Sequence, residues 1–280
     1  MRRGWRAHSI ALVLALLGMG VFLAIVVSLI QEGLPAISWR FLTGWSTSES
    51  IGPELLNTLV MVGMTLIVTI PLGLMTAIYQ EEYHYNPAKK RVATLSRVRA
   101  TLLSAPTIVV ALVVYRIAVG WWHWPVSVLT GVLTLSVINW PFLATLSAQA
   151  LRGVPDSYRQ ASLALGASRL QTTRGVVLPA ALGFLVEGWG LAFARLAGES
   201  AALIVTAGVN VSRHWSLFGP GETLAVHIWY IRTEGVSLNR GAEAAATGVV
   251  LMALIAVVVW AFGRLSRLLG GAQPPSQEVR

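Results

Sequence analysis

The sequence predicts an all-α integral membrane protein of six transmembrane helices. Three observations carry that expectation. Of 280 residues, 55% are hydrophobic and 12% charged, with mean hydropathy +0.67, whereas a soluble domain carries about a quarter charged residues. Six apolar stretches, near 10–30, 55–79, 100–120, 126–151, 180–208 and 244–262, are each long enough to cross a hydrocarbon core of about 30 Å. Lysine and arginine are concentrated in alternate loops.

That last asymmetry fixes the topology. Six spans put both termini on one side, together with Arg2, Arg3, Arg6, Lys89, Lys90, Arg91, Arg97, Arg99, Arg152, Arg159, Arg169, Arg174, Arg264, Arg267 and Arg280. The opposite side has only Arg40, Arg213, Arg232 and Arg240. The positive-inside rule therefore places both termini and the segment 150–177 in the cytoplasm. The net charge of +9 is topological and marks no nucleic-acid face. With no cysteine, disulfide and thiolate chemistry are excluded. The first span follows a charged region as a signal peptide would, but its length and the lack of a nearby small-x-small site read as a retained anchor.

The external segment 31–54, with Pro35 and Pro53 as breakers, is expected to form a short amphipathic surface element. In the second span, Pro71 and Gly73 should kink or loosen the helix. The span ends in YQEEYHYNPAKKR, a turn whose Tyr79, Tyr83 and Tyr85 fit an interfacial aromatic belt. Pro106 lies early in the third span. Arg116, near its far end, reads as snorkelling to the interface, and Trp121–Trp124 as an anchor in which His123 is a belt residue. Asn139, in the middle of the fourth span beside Pro141, reads as helix glue. In the external segment 209–243, FGPGE is a turn and LAVHIWYI is too short to cross, a re-entrant or interfacial piece. The tail from residue 269 reads as disordered.

Between the fourth and fifth spans, Pro155 followed by Asp156 and Ser157 starts a helix capped by one of those two residues. Gly166 interrupts it, and a second short helix from Ser168 to Val177 is expected to stop at Pro179. Apolar Leu163, Leu165, Leu170, Val176 and Val177 give the pair something to bury; an amphipathic hairpin lying on headgroups would use the same pattern. The spacing Gln160-Ala161-Ser162-x3-Gly166-x9-Val176-x-Leu178-Pro179 resembles the EAA-x3-G-x9-I-x-LP loop of ABC importer permeases. That resemblance implies a coupling helix that docks in a groove of an ATP-binding subunit, with Gln160, Ala161, Ser162, Gly166, Ala167, Leu178 and Pro179 at the contact. Gln160 and Ser162 depart from the family's Glu and Ala. The only lysines, Lys89 and Lys90, are not in a Gly-Lys-Ser/Thr loop, so ATP must be hydrolysed elsewhere.

The fifth span carries Glu187, Arg195 and Glu199. On a continuous helix, Arg195 and Glu199 share one face about 6 Å apart along the axis, with Arg195 about 22 Å from the start. Inserting an Arg there costs about 2.5–3.5 kcal/mol, which a paired carboxylate offsets in part. A buried pair is weak evidence for stability, so function explains it better than helix locking. The guanidinium fork matches a tetrahedral oxyanion, and Glu199 would orient Arg195 and temper its charge. Glu187 either extends this ladder or reaches the interface.

ARLAGESAAL resembles the AR-x-x-GETAPL segment of the phosphate ABC importer permeases of the PstA type, and PELLNT, IPLGLMTAIYQEEY and SAPTIV resemble segments of the same permeases in the same order. The resemblance implies the type I ABC importer permease fold with a cytoplasmic coupling helix. The chain would divide into an N-terminal helix and external segment (1–54), a permease domain (55–268) and a tail (269–280). It implies a multi-pass protein of the bacterial cytoplasmic (inner) membrane that takes up inorganic phosphate by alternating access. Arg195 and Glu199 would lie on the substrate pathway. The implied partners are a PstC-type permease, two ATP-binding subunits holding ATP and Mg, and a periplasmic or extracellular phosphate-binding protein; no cofactor is expected in this chain. Ala202 replaces the family's Pro and should leave the helix less kinked after Glu199. A permease for sulfate or molybdate is the nearest rival. An intramembrane serine hydrolase around Gly198-Glu199-Ser200 would need a histidine base, and His8, His84, His123, His214 and His227 all fall outside the spans. No HExxH or paired metal-ligand spacing occurs.

Overall fold

The computed structural model describes residues 2–45, 50–83, 90–209, 215–235 and 239–270, and their regular structure is entirely helical. Tyr85, His84, Lys89, Arg213, His214 and the tail from residue 271, each singled out from sequence, lie outside the described residues.

Four expected spans are single long helices. α1 is Arg2–Gly33. It stands at the edge of the bundle with almost every described side chain exposed, as lipid-facing Leu, Val and Ile should be. A short 3₁₀ turn, Leu34–Ala36, leads to α2 (Trp39–Thr43), the expected surface element; Ser38 caps it by accepting from the amide of Phe41.

α3, Gly52–Ile78, places Pro53 in its first turn, where a missing N–H costs nothing. Its buried residues Asn57, Met61, Thr65, Thr69, Gly73 and Ala77 recur at helical spacing and face α6 (Val128–Arg152), the neighbour it packs against most. The helix runs on through Pro71 into a π turn, Tyr79–Tyr83. Gly73 is there for proximity: a Cβ at that position would sit 2.9 Å from Cβ of Leu143 and 3.0 Å from the amide nitrogen of Ala144. Asn139 is glue as expected, its amide donating to Thr69 Oγ1 at 3.0 Å between fully buried surfaces.

The third span is a correction. α4 (Lys90–Ser104) and α5 (Thr107–Tyr115, continued by a π turn to Trp121) meet at a bend of 105°. Pro106 has extended ψ of 131°, cannot donate an amide hydrogen bond and drives Ala105 out of the helical region, so the two rods separate there. The following Trp-rich turn is closed by His123 at φ 56°, with Trp122 and Trp124 rings 5.4 Å apart.

The fifth span is also interrupted. α9 (Leu178–Ala197) ends at Gly198, and α10 (Ala201–Thr206) starts after Ser200. The break precedes Ala202, so the missing proline leaves a discontinuity all the same. Upstream, α7 (Asp156–Ala164) is preceded by Pro155 without a side-chain cap, so neither Asp156 nor Ser157 is the cap. α8 (Arg169–Thr172) has a complete capping box from Ser168 and Gln171. Pro179 does not stop the helix. The π turn Thr173–Val177 widens the backbone where the proline ring would meet the carbonyl of Gly175, and helix continues from Arg169 to Ala197.

α11, Leu224–Thr233, is the short apolar piece, capped by Thr223 and buried through Leu224, Val226, His227 and Ile231 against α3 and α12. α12, Arg240–Leu269, runs antiparallel to α1, with Gly33 against Ala245 and Gly248 against Leu29. Its C-terminus returns to the start of α9, Gly270 lying beside Gly183. The main core joins α3, α6, α9, α10 and α11 through Met61, Leu135, Leu143, Leu196, Leu203 and Leu224. A second core of Ala77, Leu151, Val154, Val177 and Leu185 supports the α7–α8 hairpin.

Candidate functional site: a charged helix face and an anchored hairpin

On α9, Phe184, Glu187, Leu191, Arg195 and Gly198 fall on one side at steps of three and four and are exposed, while Leu185, Val186, Ala192, Phe193 and Leu196 are buried. Arg195 packs over the ring of Phe142 on α6, its guanidinium carbon 4.6 Å from the ring centroid. That cation–π contact occupies one face of the guanidinium plane and leaves its N–H edge clear. Arg195 forms no ion pair with any described residue. Glu187 lies on the same face in a groove between α6 and α9, with Leu146, Gln149 and Phe184 around it.

Glu199 behaves differently from the sequence expectation. Because α9 stops at Gly198, the i,i+4 geometry with Arg195 is lost and the two side chains form no salt bridge. Glu199 Oε1 instead accepts from the amide of Ala202 at 3.3 Å and the hydroxyl of Thr107 at 3.2 Å. It thus satisfies a first-turn amide of α10 and ties that break to the break after Pro106. Two interrupted spans meet at this carboxylate, and Ala202 packs with Val110, Ala111 and Ile138 below it. Ser200 forms no hydrogen bond to a described histidine, and His227 is engaged by Glu222 at 2.9 Å.

The segment expected to couple to an ATP-binding subunit stands clear of the bundle. Gln160, Ala161, Gly166 and Pro179 are exposed, Ser162, Ala167 and Leu178 partly so. α7 buries none of its residues, contrary to the expectation that each helix would bury an apolar side. Leu165 is 89% exposed, with Tyr158, Leu163 and Leu170 also open. Gly166, at φ +86°, makes the left-handed turn between α7 and α8 at little cost. Ser162 and Thr172 hydroxyls pair at 3.0 Å to close the hairpin.

What anchors the hairpin was missed from sequence. Arg159, 19% exposed, grips Glu82, 7% exposed, through Nη2 at 2.8 Å and Nε at 3.2 Å, and donates to the carbonyls of Leu151 at 2.8 Å and Val154 at 2.7 Å. The Glu82 carboxylate holds the Arg159 pKa above its ordinary value against the opposing effect of burial. Arg152 pairs in the same fork with Glu81 at 2.6 and 2.8 Å. The two glutamates of YQEEY hold the hairpin to the end of α3. Also unanticipated is a buried cluster of Glu54, Glu222 and His227 at the other end of the bundle. Glu222 and His227 lie five residues apart, but Glu54 is on a distant helix, so no local spacing announces the group of three.

Residues 69–270 match the family model described as binding-protein-dependent transport system inner membrane component. The chain is 33% identical over 278 residues to a probable ABC transporter permease protein YqgI of Bacillus subtilis, covering 93% of this chain and 91% of the relative. It is 30% identical over 274 residues to the phosphate transport system permease protein PstA of Haemophilus influenzae, covering 91% and 93%. Among solved structures, a bacterial alginate ABC transporter in complex with an alginate-bound periplasmic protein matches with TM-score 0.73 at 13% identity, over 98% of both chains. At that identity the likeness concerns fold alone.

Proposed function

This chain belongs to the binding-protein-dependent transport system inner membrane components, and on that premise we propose that it is one permease of an ATP-driven importer of inorganic phosphate. It is an ABC importer permease and no enzyme in itself. The phosphate assignment rests on the likeness to PstA proteins over most of the chain, together with ARLAGES on α9.

The observation that supports it best is Arg195. Its guanidinium sits on an exposed helix face and pairs with no described carboxylate, and its planar fork can bind a phosphate dianion through two parallel N–H···O bonds. The α6–α9 face would meet a PstC-type partner permease, so that Arg195 lines the pathway between the two. Glu199 contributes by holding the two broken spans in place. Two ATP-binding subunits, carrying ATP and Mg, would take Leu165, Leu163 and Tyr158 into a groove. The Arg159–Glu82 and Arg152–Glu81 pairs would pass their motion to α3. A binding protein would deliver phosphate at the opposite end, and both termini would be cytoplasmic.

Proteoliposomes holding the chain with these partners should accumulate radiolabelled phosphate only with ATP, and arsenate alone among competing oxyanions should inhibit. Uptake of sulfate or molybdate in place of phosphate would retain the permease and discard its substrate.

A further inference from the structure

At the end of the bundle away from the hairpin, α3 and α11 begin side by side, and three titratable side chains meet between them. Glu54, in the first turn of α3, is 3% exposed; Glu222, beside the cap of α11, is 2% exposed; His227 on α11 is 9% exposed. Nδ1 of His227 lies 2.9 Å from Oε1 of Glu222 and 3.9 Å from Oε1 of Glu54. One donor atom from each residue lies within 4.8 Å of the other two.

The protein does not complete this cluster by itself. His227 Nδ1 serves Glu222, whereas Oε2 of Glu54 is buried with no hydrogen-bond partner. That atom is unsatisfied whether the carboxyl is ionised, lacking a donor, or protonated, lacking an acceptor. Were both carboxyls ionised, they would outweigh even a protonated imidazole, and Glu243 on α12 would add to the negative field at His227. Such a charge is tolerated out of water only with a counter-charge.

Meanwhile the frame is stiff. Asn57 Nδ2 donates to the Glu222 carbonyl at 3.2 Å, and Trp215 Nε1 donates to Asn57 Oδ1 at 3.0 Å. Thr58 Oγ1 donates to the Glu54 carbonyl at 2.7 Å and accepts from the amide of Leu224 at 2.9 Å. A buried constellation of two carboxyls and an imidazole, with an unused carboxyl oxygen and a fixed backbone, has the character of a ligand set.

We propose that Glu54, Glu222 and His227 form a site for a divalent transition-metal ion of the Zn2+ or Mn2+ type, which clasps the ends of α3 and α11. One imidazole nitrogen with two carboxylate oxygens suits these ions, whereas Ca2+ and Mg2+ favour all-oxygen sites. Metal–ligand lengths of about 2.0–2.2 Å put adjacent donors about 3 Å apart. The His227–Glu222 spacing already meets that, and Glu54 needs to close by on the order of 1 Å, a side-chain rotation. The ion would displace the proton of His227 Nδ1 and neutralise both carboxylates.

The test uses the untagged full-length chain in nanodiscs, stripped with a chelator, then titrated with Co2+ as a visible-spectrum probe and with Zn2+ by calorimetry. The expected result is one ion per chain, visible ligand-field bands with Co2+, and X-ray absorption of the Zn2+ form showing one nitrogen and carboxylate oxygens. H227A and E222Q should each weaken binding by about tenfold or more. An unmodified chain that takes up no stoichiometric ion, or binds it no better than an E54Q/H227A double variant, would overturn the proposal. The unmodified chain's titration and spectrum decide the matter even where a variant fails to fold.

Discussion

Arg159→Ala should loosen the α7–α8 hairpin. The side chain bridges three elements: it clamps Glu82 at the end of α3 with two nitrogens, and it satisfies the carbonyls of Leu151 and Val154 between α6 and α7. Removing it strands a carboxylate that is 7% exposed. Breaking a buried pair from one side costs about 3–5 kcal/mol, and the 19% exposure of Arg159 argues for the lower end, about 3 kcal/mol. Glu82→Ala should cost less, about 2 kcal/mol, because Arg159 keeps its carbonyl partners, and hydrogen bonds to a charged group are worth about 1.5–3 kcal/mol each. Unfolding by denaturing detergent, run as a double-mutant cycle on both residues, measures the coupling directly. A coupling energy near 2 kcal/mol is expected, along with ATP hydrolysis by the assembled importer that no longer drives uptake in proportion. A coupling energy below about 0.5 kcal/mol, the level of an ordinary exposed pair, would refute the anchoring role.

Other substitutions test separate parts of the fold. Leu165→Asp should leave the melting of the isolated chain unchanged, because the side chain is 89% exposed, but should abolish co-purification of the ATP-binding subunit. Gly73→Ala should push α3 away from α6, since the new Cβ would lie 2.9 Å from Leu143 Cβ, and lower stability by about 1–3 kcal/mol in the same detergent assay. Asn139→Leu should cost only about 0.6–2 kcal/mol, because its interhelical bond to Thr69 is of a kind that is modest within membranes. Thr107→Val should free one bond of Glu199 and lower uptake while the complex assembles, as judged by gel filtration and transport.

What sequence made legible and what it did not divide along the range of the interactions. Spans built from uniform apolar runs, those of α1, α3, α6 and α12, declare themselves because lipid and helix spacing act on consecutive residues. The hairpin was readable from Gly166, expected as an interruption between two helices; its left-handed turn appears only in the structure. Pro106 and Gly198 were visible as residues but not as breaks. Whether a proline kinks a helix or divides it depends on what packs against the gap, here Thr107 against Glu199 across 92 positions. For the same reason the pairing of Arg195 with Glu199 was inferred from a continuous helix that does not exist. Glu81, Glu82 and Glu54 went unassigned because their partners Arg152, Arg159 and His227 are distant in the chain, where no periodicity operates.

The measurement that bears most directly on the account is ATP-dependent phosphate uptake by proteoliposomes containing Arg195→Gln in the assembled importer, with ATPase activity recorded in parallel. Two charge-assisted hydrogen bonds at about 1.5 kcal/mol each amount to ~3 kcal/mol, or about 100-fold. Uptake is expected to fall at least that far while the complex still assembles and hydrolyses ATP. Uptake close to that of the unmodified importer would contradict the assignment of this guanidinium to the phosphate pathway.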